Sequence, residues 1–286
     1  MKRYGLIEAG GTKFVLGTAA DKDNIDASVR IDTTTPDETI GAAMRWFAAQ
    51  GPIDAIGIAS FGPIELDKAK PNWGHITETT KPLWSNADIA GPLIARFGCP
   101  VVIETDVNGA AIAEHRWGAG QGQKSMLYFT VGTGIGGAAV VDGQLLHGLT
   151  HPEMGHIRVP LHPDDLPSAG YCPFHGACLE GLANGPSIKA RWGKSLSELP
   201  ADHIGHEIIA WYLAHAVVSM QAIFQPGRII FGGGVMGTRG LIERVRAEAE
   251  RLAGGYFPGN VHEIVTLPGL GDKAGLLGAL ALAQGA

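Results

Sequence analysis

Cys172, His175 and Cys178 stand at equal three-residue intervals in YCPFHGACLEG, and His156 precedes them in PEMGHIRVP. Two thiols and two imidazoles are a common zinc ligand set, because thiolate and neutral imidazole both suit a borderline-soft cation. His151 and His162 are rival fourth ligands, with Asp164 and Asp165 behind them. The reading without metal is two buried free cysteines. Four protein ligands leave zinc no open position, so the metal would be structural, stapling a loop that has little core of its own. Cys99 sits apart and reads as a core thiol.

A carboxylate can accept a proton, and VIETDVNGAA places Asp106 where a strand passes into a helix. On spacing alone that position reads as an N-cap, for which Asp is favoured. Glu153 and Glu180 flank the Cys/His segment and, taken singly, read as solvated carboxylates. Three glycine loops, EAGGTK, VGTGIGG and FGGGVM, offer bare backbone N–H groups that can approach an anion closely. None is a Walker loop, and GAGQGQKS lacks the Gly-Lys pair at the required spacing. Gly132-x-Gly134-x-x-Gly137 and Gly232-x-Gly234-x-x-Gly237 both match the dinucleotide pattern. The first runs on into a strand. The second has no acidic residue at the end of a following strand, so neither meets the full fingerprint.

The chain has room to position these groups. Its 286 residues, 45% hydrophobic and 17% charged, can bury a sizeable core and argue against disorder. A net charge of −6 without a Lys/Arg run argues against a nucleic-acid partner. No apolar run is expected to reach membrane-spanning length, and Glu8 and Lys13 break any signal-peptide core. Three cysteines are too few, and odd in number, for a disulfide framework. A cytoplasmic globular protein is expected, with no membrane partner.

Apolar runs flank Gly10-Gly11-Thr12 and again Gly132-Thr133-Gly134, so each loop reads as a hairpin turn and the pair suggests a duplicated architecture. Between and after them, helical spacing (DETIGAAMRWFAAQ, IAGPLIARFG, VNGAAIAEHRWGAG, EIIAWYLAHAVVSMQAIFQP, RGLIERVRAEAERLA) alternates with short strand patterns (IDAIGIAS, PVVIETD, RIIF). The tail DKAGLLGALALAQ is a helix whose Gly and Ala permit close packing. Strands alternating with helices indicate an α/β fold.

In order along the chain, EAGGTK, VGTGIGG and FGGGVM resemble the two phosphate loops and adenosine loop of the sugar kinase, heat-shock chaperone and actin superfamily. PEMGH followed by YCPFHGACLEG resembles, more narrowly, the ROK family of sugar kinases and repressors, and within it the bacterial fructokinases. The resemblance implies two ribonuclease H-like (actin/hexokinase-like ATPase) domains with a nucleotide and sugar cleft between them. These would be residues 1–115, onto which a C-terminal helix of about 272–286 returns, and residues 116–271, carrying a zinc-binding loop at 156–178. It implies Asp106 as general base, and hexose contacts from Ser60, Gly62, Pro63, Thr105, Glu153, His156 and Glu180. ATP would meet Gly10, Gly11, Thr12, Lys13, Thr133, Gly134, the Gly185-Pro186 turn, and Gly232, Gly233, Gly234, Val235 and Met236. Glu8 would hold Mg²⁺ through water, where most of the family carries Asp. Zinc would take His156, Cys172, His175 and Cys178. Thr105 and Thr80 also depart from the family pattern, which has Asn and Pro there. Trp73 and Trp84 could stack on a sugar but suit core or lid packing.

The expected activity is ATP-dependent phosphorylation of D-fructose to fructose 6-phosphate, with mannose, glucose and N-acylhexosamine as rival substrates. His175 as the middle ligand favours fructose, since many family members have Cys there. A homodimer is implied by the resemblance alone. A DNA-binding repressor is disfavoured because the first strand is expected within a few residues of Met1. A non-catalytic sugar binder would lack the base or phosphate loops, and an actin-like filament protein would not need the zinc cluster.

Overall fold

The structure, a computed structural model, describes residues 2–165 and 169–285. Residues 166–168, inside the expected zinc loop, and the two terminal residues lie outside the described residues. The chain divides into two compact units: residues 1–116 with 147–151 and 270–286, and residues 117–146 with 152–269.

In the first unit, β1 (Tyr4–Ala9) and β2 (Lys13–Ala19) pair antiparallel across the glycine turn, and β3 (Ile25–Asp32) adds to β2 antiparallel. The long helix α1 (Pro36–Ala49) starts at Thr35, whose side chain accepts from Glu38 N, with Pro36 at its first position. Next come β4 (Ala55–Ser60), parallel to β1, then α2 (Ala90–Phe97), β5 (Val101–Thr105), parallel to β4, and α3 (Asp106–Trp117).

The sequence of β4, AIGIAS, shows how the layers form. Every residue is buried, as a central parallel strand covered on both faces requires. Ile56 and Ile58 join Phe47 and Trp84 in one core. Gly57 and Ala59 face helices instead: a Cβ on Gly57 would fall 1.9 Å from Ala279 O, and one on Gly109 of α3 would fall 2.6 Å from the Ala59 Cβ. The Gly/Ala-rich C-terminal helix, Ala274–Ala283, therefore lies backbone to backbone on this sheet. Trp84 is wholly buried and donates its indole N–H to Thr34 O at 2.8 Å, so it belongs to the core. Trp73 packs at the core's edge.

The second unit repeats the plan. Antiparallel β6 (Ser125–Val131) and β7 (Ile135–Val141) take the edge strand β8 (Gln144–Leu145), while β9 (Arg228–Gly232) and β10 (Val265–Thr266) add in parallel. The orders β3-β2-β1-β4-β5 and β8-β7-β6-β9-β10 correspond strand for strand and direction for direction. Helices α4 (Leu179–Ala183), α5 (Gly185–Trp192), α6 (Gly205–Phe224), α7 (Leu241–Ala253) and α8 (Val261–Ile264) complete it.

Against the expectation that no run reaches membrane-spanning length, α6 does so, with 20 residues and a mean hydropathy of 1.4. Its composition follows from its place in the core, where Tyr212, Leu213 and Val217 are fully buried; a helix covered on most sides is apolar nearly all round.

Candidate functional site

The tight link Cys172–Cys178 and the single 3₁₀ turn Met154–His156 bring four donors together. His156 Nδ1 lies 3.7 Å from Cys172 Sγ, 3.5 Å from Cys178 Sγ and 3.2 Å from His175 Nδ1, while His175 Nδ1 lies 3.7 Å from Cys172 Sγ. A zinc tetrahedron with sulfur at about 2.3 Å and nitrogen at about 2.0 Å has N···S edges of about 3.6 Å and N···N edges of about 3.3 Å. The donor spacing fits such an ion. Burial pushes the Cys178 thiol up, and neighbouring Cys172 adds to it, so a cation is what would favour the paired thiolates. His156 turns Nδ1 to the cluster, and its Nε2 is 3.9 Å from Glu153 Oε2.

The rival ligands do other work. Asp165, buried, takes Arg191 Nη1 at 2.5 Å and the Tyr212 hydroxyl at 2.6 Å. Burial and that carboxylate push the Tyr212 phenol up. His162 sets its ring edge-on to Trp211, with Asp164 Oδ2 3.8 Å from its Nδ1, and His151 belongs to the first unit.

At the β5–α3 corner the capping is done one residue early. Thr105 Oγ1, buried, accepts from Asn108 N at 3.1 Å, so Thr105 caps the helix. Asp106 stands in the first turn and accepts from its neighbour, Val107 N, at 2.8 Å. By area Asp106 is exposed, yet surrounding protein desolvates its carboxyl enough to raise it above its ordinary value; the Val107 bond and the His151 charge oppose the rise. An accessible carboxylate in a concave setting satisfies both observations. Glu8 is raised as well, first by burial and then by Asp106 and Asp272, while Lys13 and Arg30 pull it down. A cation beside Glu8 would relieve that repulsion. Gly275 of the C-terminal helix presses on Glu8, since a Cβ there would sit 2.2 Å from the carboxyl carbon.

In the β1–β2 turn, Gly10 N donates to Lys13 O at 2.9 Å and Thr33 Oγ1 donates to Gly10 O at 2.7 Å, whereas Gly11 faces open space. Ser60 is buried with its hydroxyl on Phe61 O at 2.9 Å, just ahead of the cis Gly62–Pro63 bond.

The second unit gathers three distant glycine segments. Gly185 N donates to Gly132 O at 2.8 Å, and Asn184 Nδ2 to Thr133 O at 3.0 Å, so the β6–β7 turn is held by its carbonyls. Glu180 Oε2 accepts from Ile135 N at 2.9 Å on the same turn. A cavity of about 380 Å³ opens between Gly132-Thr133, Gly185-Pro186 and Gly234-Val235. Gly134, Gly232, Gly233 and Met236 do not line it. Gly233, at φ +91° with Val131 O 2.4 Å from any Cβ, is required by the backbone turn and its close packing, and Met236 is core.

The ROK family's model matches residues 4–286. The chain belongs to the ROK family. A fructokinase from Zymomonas mobilis subsp. mobilis is 50% identical over 293 residues, spanning 100% of this chain and 97% of that protein. A fructokinase from Pediococcus pentosaceus is 41% identical over 285 residues, 99% of this chain and 98% of the relative. The ROK hexokinase structure from Thermus thermophilus matches with a TM-score of 0.80 at 28% identity, covering 99% and 98% of the two chains.

Sequence reasoning on this ROK chain missed Ser195, Ser197 and Thr238 in the cavity wall. Ser195-x-x-Glu198 is a capping box, with Glu198 Oε2 accepting from Ser195 N at 2.9 Å, and that spacing was the available signal. Also missed was the buried Glu104, which accepts from Asn108 Nδ2 and contacts His147 Nε2, each at 2.8 Å.

Proposed function

We propose that this ROK chain is a fructokinase, transferring the γ-phosphoryl group of ATP to D-fructose to give fructose 6-phosphate. What carries the reading is the likeness, along the whole chain, to a fructokinase at 50% identity. The sugar's 6-hydroxyl attacks the γ-phosphorus and Asp106 takes its proton. The new P–O bond forms as the bond to the β-phosphate oxygen breaks, and ADP leaves. A carboxyl raised above its ordinary value is a stronger base for that proton. Freed from capping by Thr105, it can serve.

Hexose contacts are assigned to Ser60, Gly62, Pro63, Thr105, Glu153, His156 and Glu180. Carboxylate oxygens suit a neutral polyol because they accept from its hydroxyls. Glu180 accepts from Ile135 N on the β6–β7 turn through Oε2, and its second oxygen is assigned to substrate. Gly10, Gly11, Thr12, Lys13, Thr133, Gly134, Gly185, Pro186 and Gly232–Met236 are assigned to ATP. Magnesium, when bound, neutralises charge on the transferred group. Glu8 would hold it through water. Zinc on His156, Cys172, His175 and Cys178 would set the positions of Glu153 and Glu180 without entering the chemistry. Two domains, 1–115 with helix 272–286 and 116–271, a homodimer and a cytoplasmic location complete the proposal.

The test is ADP release from Mg·ATP with fructose, mannose, glucose and N-acetylated hexosamines. Turnover with fructose well above the others is expected. Preference for another sugar overturns the fructose assignment, and inactivity with all of them overturns the kinase.

A further inference from the structure

Recognition of a nucleobase depends on which polar groups can meet its edge. The cavity in the second unit is walled by glycine backbone, Pro186, Ile188, Leu196 and Val235, and its polar side chains are four hydroxyls: Thr133, Ser195, Ser197 and Thr238. Among the described residues lining it there is no carboxylate, amide, imidazole, ammonium or guanidinium. Asn184, next to the lining residue Gly185, is spent on the protein: Nδ2 donates to Thr133 O, and Oδ1 accepts from Ser187 N and Ser187 Oγ. Thr238 is 5% exposed, and its Oγ1 has no hydrogen-bond partner among the described residues. Buried polar groups are ordinarily bonded, so an orphan hydroxyl on a cavity wall marks a group available to a ligand.

We propose that this cavity reads its nucleotide through hydroxyls and backbone alone, and so accepts adenine and guanine nucleoside triphosphates with little preference. The proposal rests on the ATP assignment above, which is what brings a nucleotide to this cavity. Adenine presents a donor where guanine presents an acceptor, and a hydroxyl serves either by rotating. Strong rejection of an analogue, about 10⁴-fold, requires fixed polar groups that the wrong ligand leaves unpaired. On this wall Ser195 Oγ is held by Glu198 Oε2 at 2.6 Å and so only accepts, whereas Thr238 Oγ1, without a partner among the described residues, can turn to either base.

Calorimetry on the whole protein with AMPPNP and GMPPNP, together with kcat/KM for Mg·ATP and Mg·GTP with fructose, decides it. Affinities within about 10-fold of each other are expected, and an adenine preference of about 1000-fold overturns the proposal, as does failure of either analogue to bind. Similar binding without turnover supports it while sinking the kinase reading. Thr238→Val should weaken both analogues in parallel by about 5-fold, the value of one hydrogen bond; a loss confined to one of them counts against the proposal.

Discussion

Asp106→Asn separates the chemistry of the β5–α3 corner from its architecture, because the two readouts move in opposite directions. Asparagine keeps the acceptor for Val107 N but cannot take the sugar's proton. A positioned general base contributes about 10²–10⁴ in rate, so kcat should fall by that factor, roughly 2.7–5.5 kcal/mol at about 1.36 kcal/mol per decade. Stability should rise. Folding raises the Asp106 carboxyl, so the folded chain holds its proton more tightly than the unfolded chain does. Above the folded value the ionised group therefore opposes folding, and that penalty fades as pH falls through the folded value toward the unfolded one. The neutral amide removes it at neutral pH, raising Tm there with a difference that shrinks in acid. The acid limb of kcat/KM in the unsubstituted protein should likewise be displaced upward from that of an ordinary aspartate. Thr105→Ala is the counterpart: losing the cap should lower stability by about 1 kcal/mol. Steady-state ADP release and thermal denaturation across pH measure both effects. Near-normal kcat in Asp106→Asn would refute the base, and a lower Tm at neutral pH would refute the electrostatic reasoning.

Cys178→Ser should cost the protein its zinc and lower its Tm, and atomic absorption showing no zinc in freshly purified wild-type protein would end the structural-zinc assignment. Tyr212→Phe removes a hydroxyl donated to the buried Asp165 carboxylate and the acceptor for His162 N, while Arg191 still pairs the charge. The expected loss is about 1.5–3 kcal/mol, read by urea denaturation, and a change below about 0.5 kcal/mol would contradict the bond's importance. Gly57→Ala places a methyl 1.9 Å from Ala279 O, so the C-terminal helix must shift; overpacking of this kind costs about 1–3 kcal/mol, and an unchanged Tm would show the helix is not held there.

What the sequence made legible was local. Both hairpins, the DETIGAAMRWFAAQ helix and the β4 run follow from neighbours within a few residues, and the Cys172–His175–Cys178 spacing already specifies three of the four donors that the structure gathers. β3 escaped because its residues alternate between half-buried and exposed, with Asp26, Ser28 and Arg30 at the polar positions of an edge strand. Asp165 looked like a weak metal ligand because its real partners, Arg191 and Tyr212, arrive from 26 and 47 residues further on. Thr105 and Asp106 are both capable caps, and only the register of the first turn decides between them.

The two glycine patterns make the same point about function. Gly132-x-Gly134-x-x-Gly137 became a hairpin and Gly232-x-Gly234-x-x-Gly237 a strand leading into a 3₁₀ turn, yet their loops meet at one cavity. Neither pattern means a nucleotide by itself. The arrangement that favours one is the convergence of both turns with Gly185-Pro186, with Gly132 and Gly234 each facing open space wide enough to have taken a side chain. At Gly132 and Gly234 nothing in the fold crowds the missing side chain, so their bare backbone is open to the cavity, and that is visible only once the chain is folded.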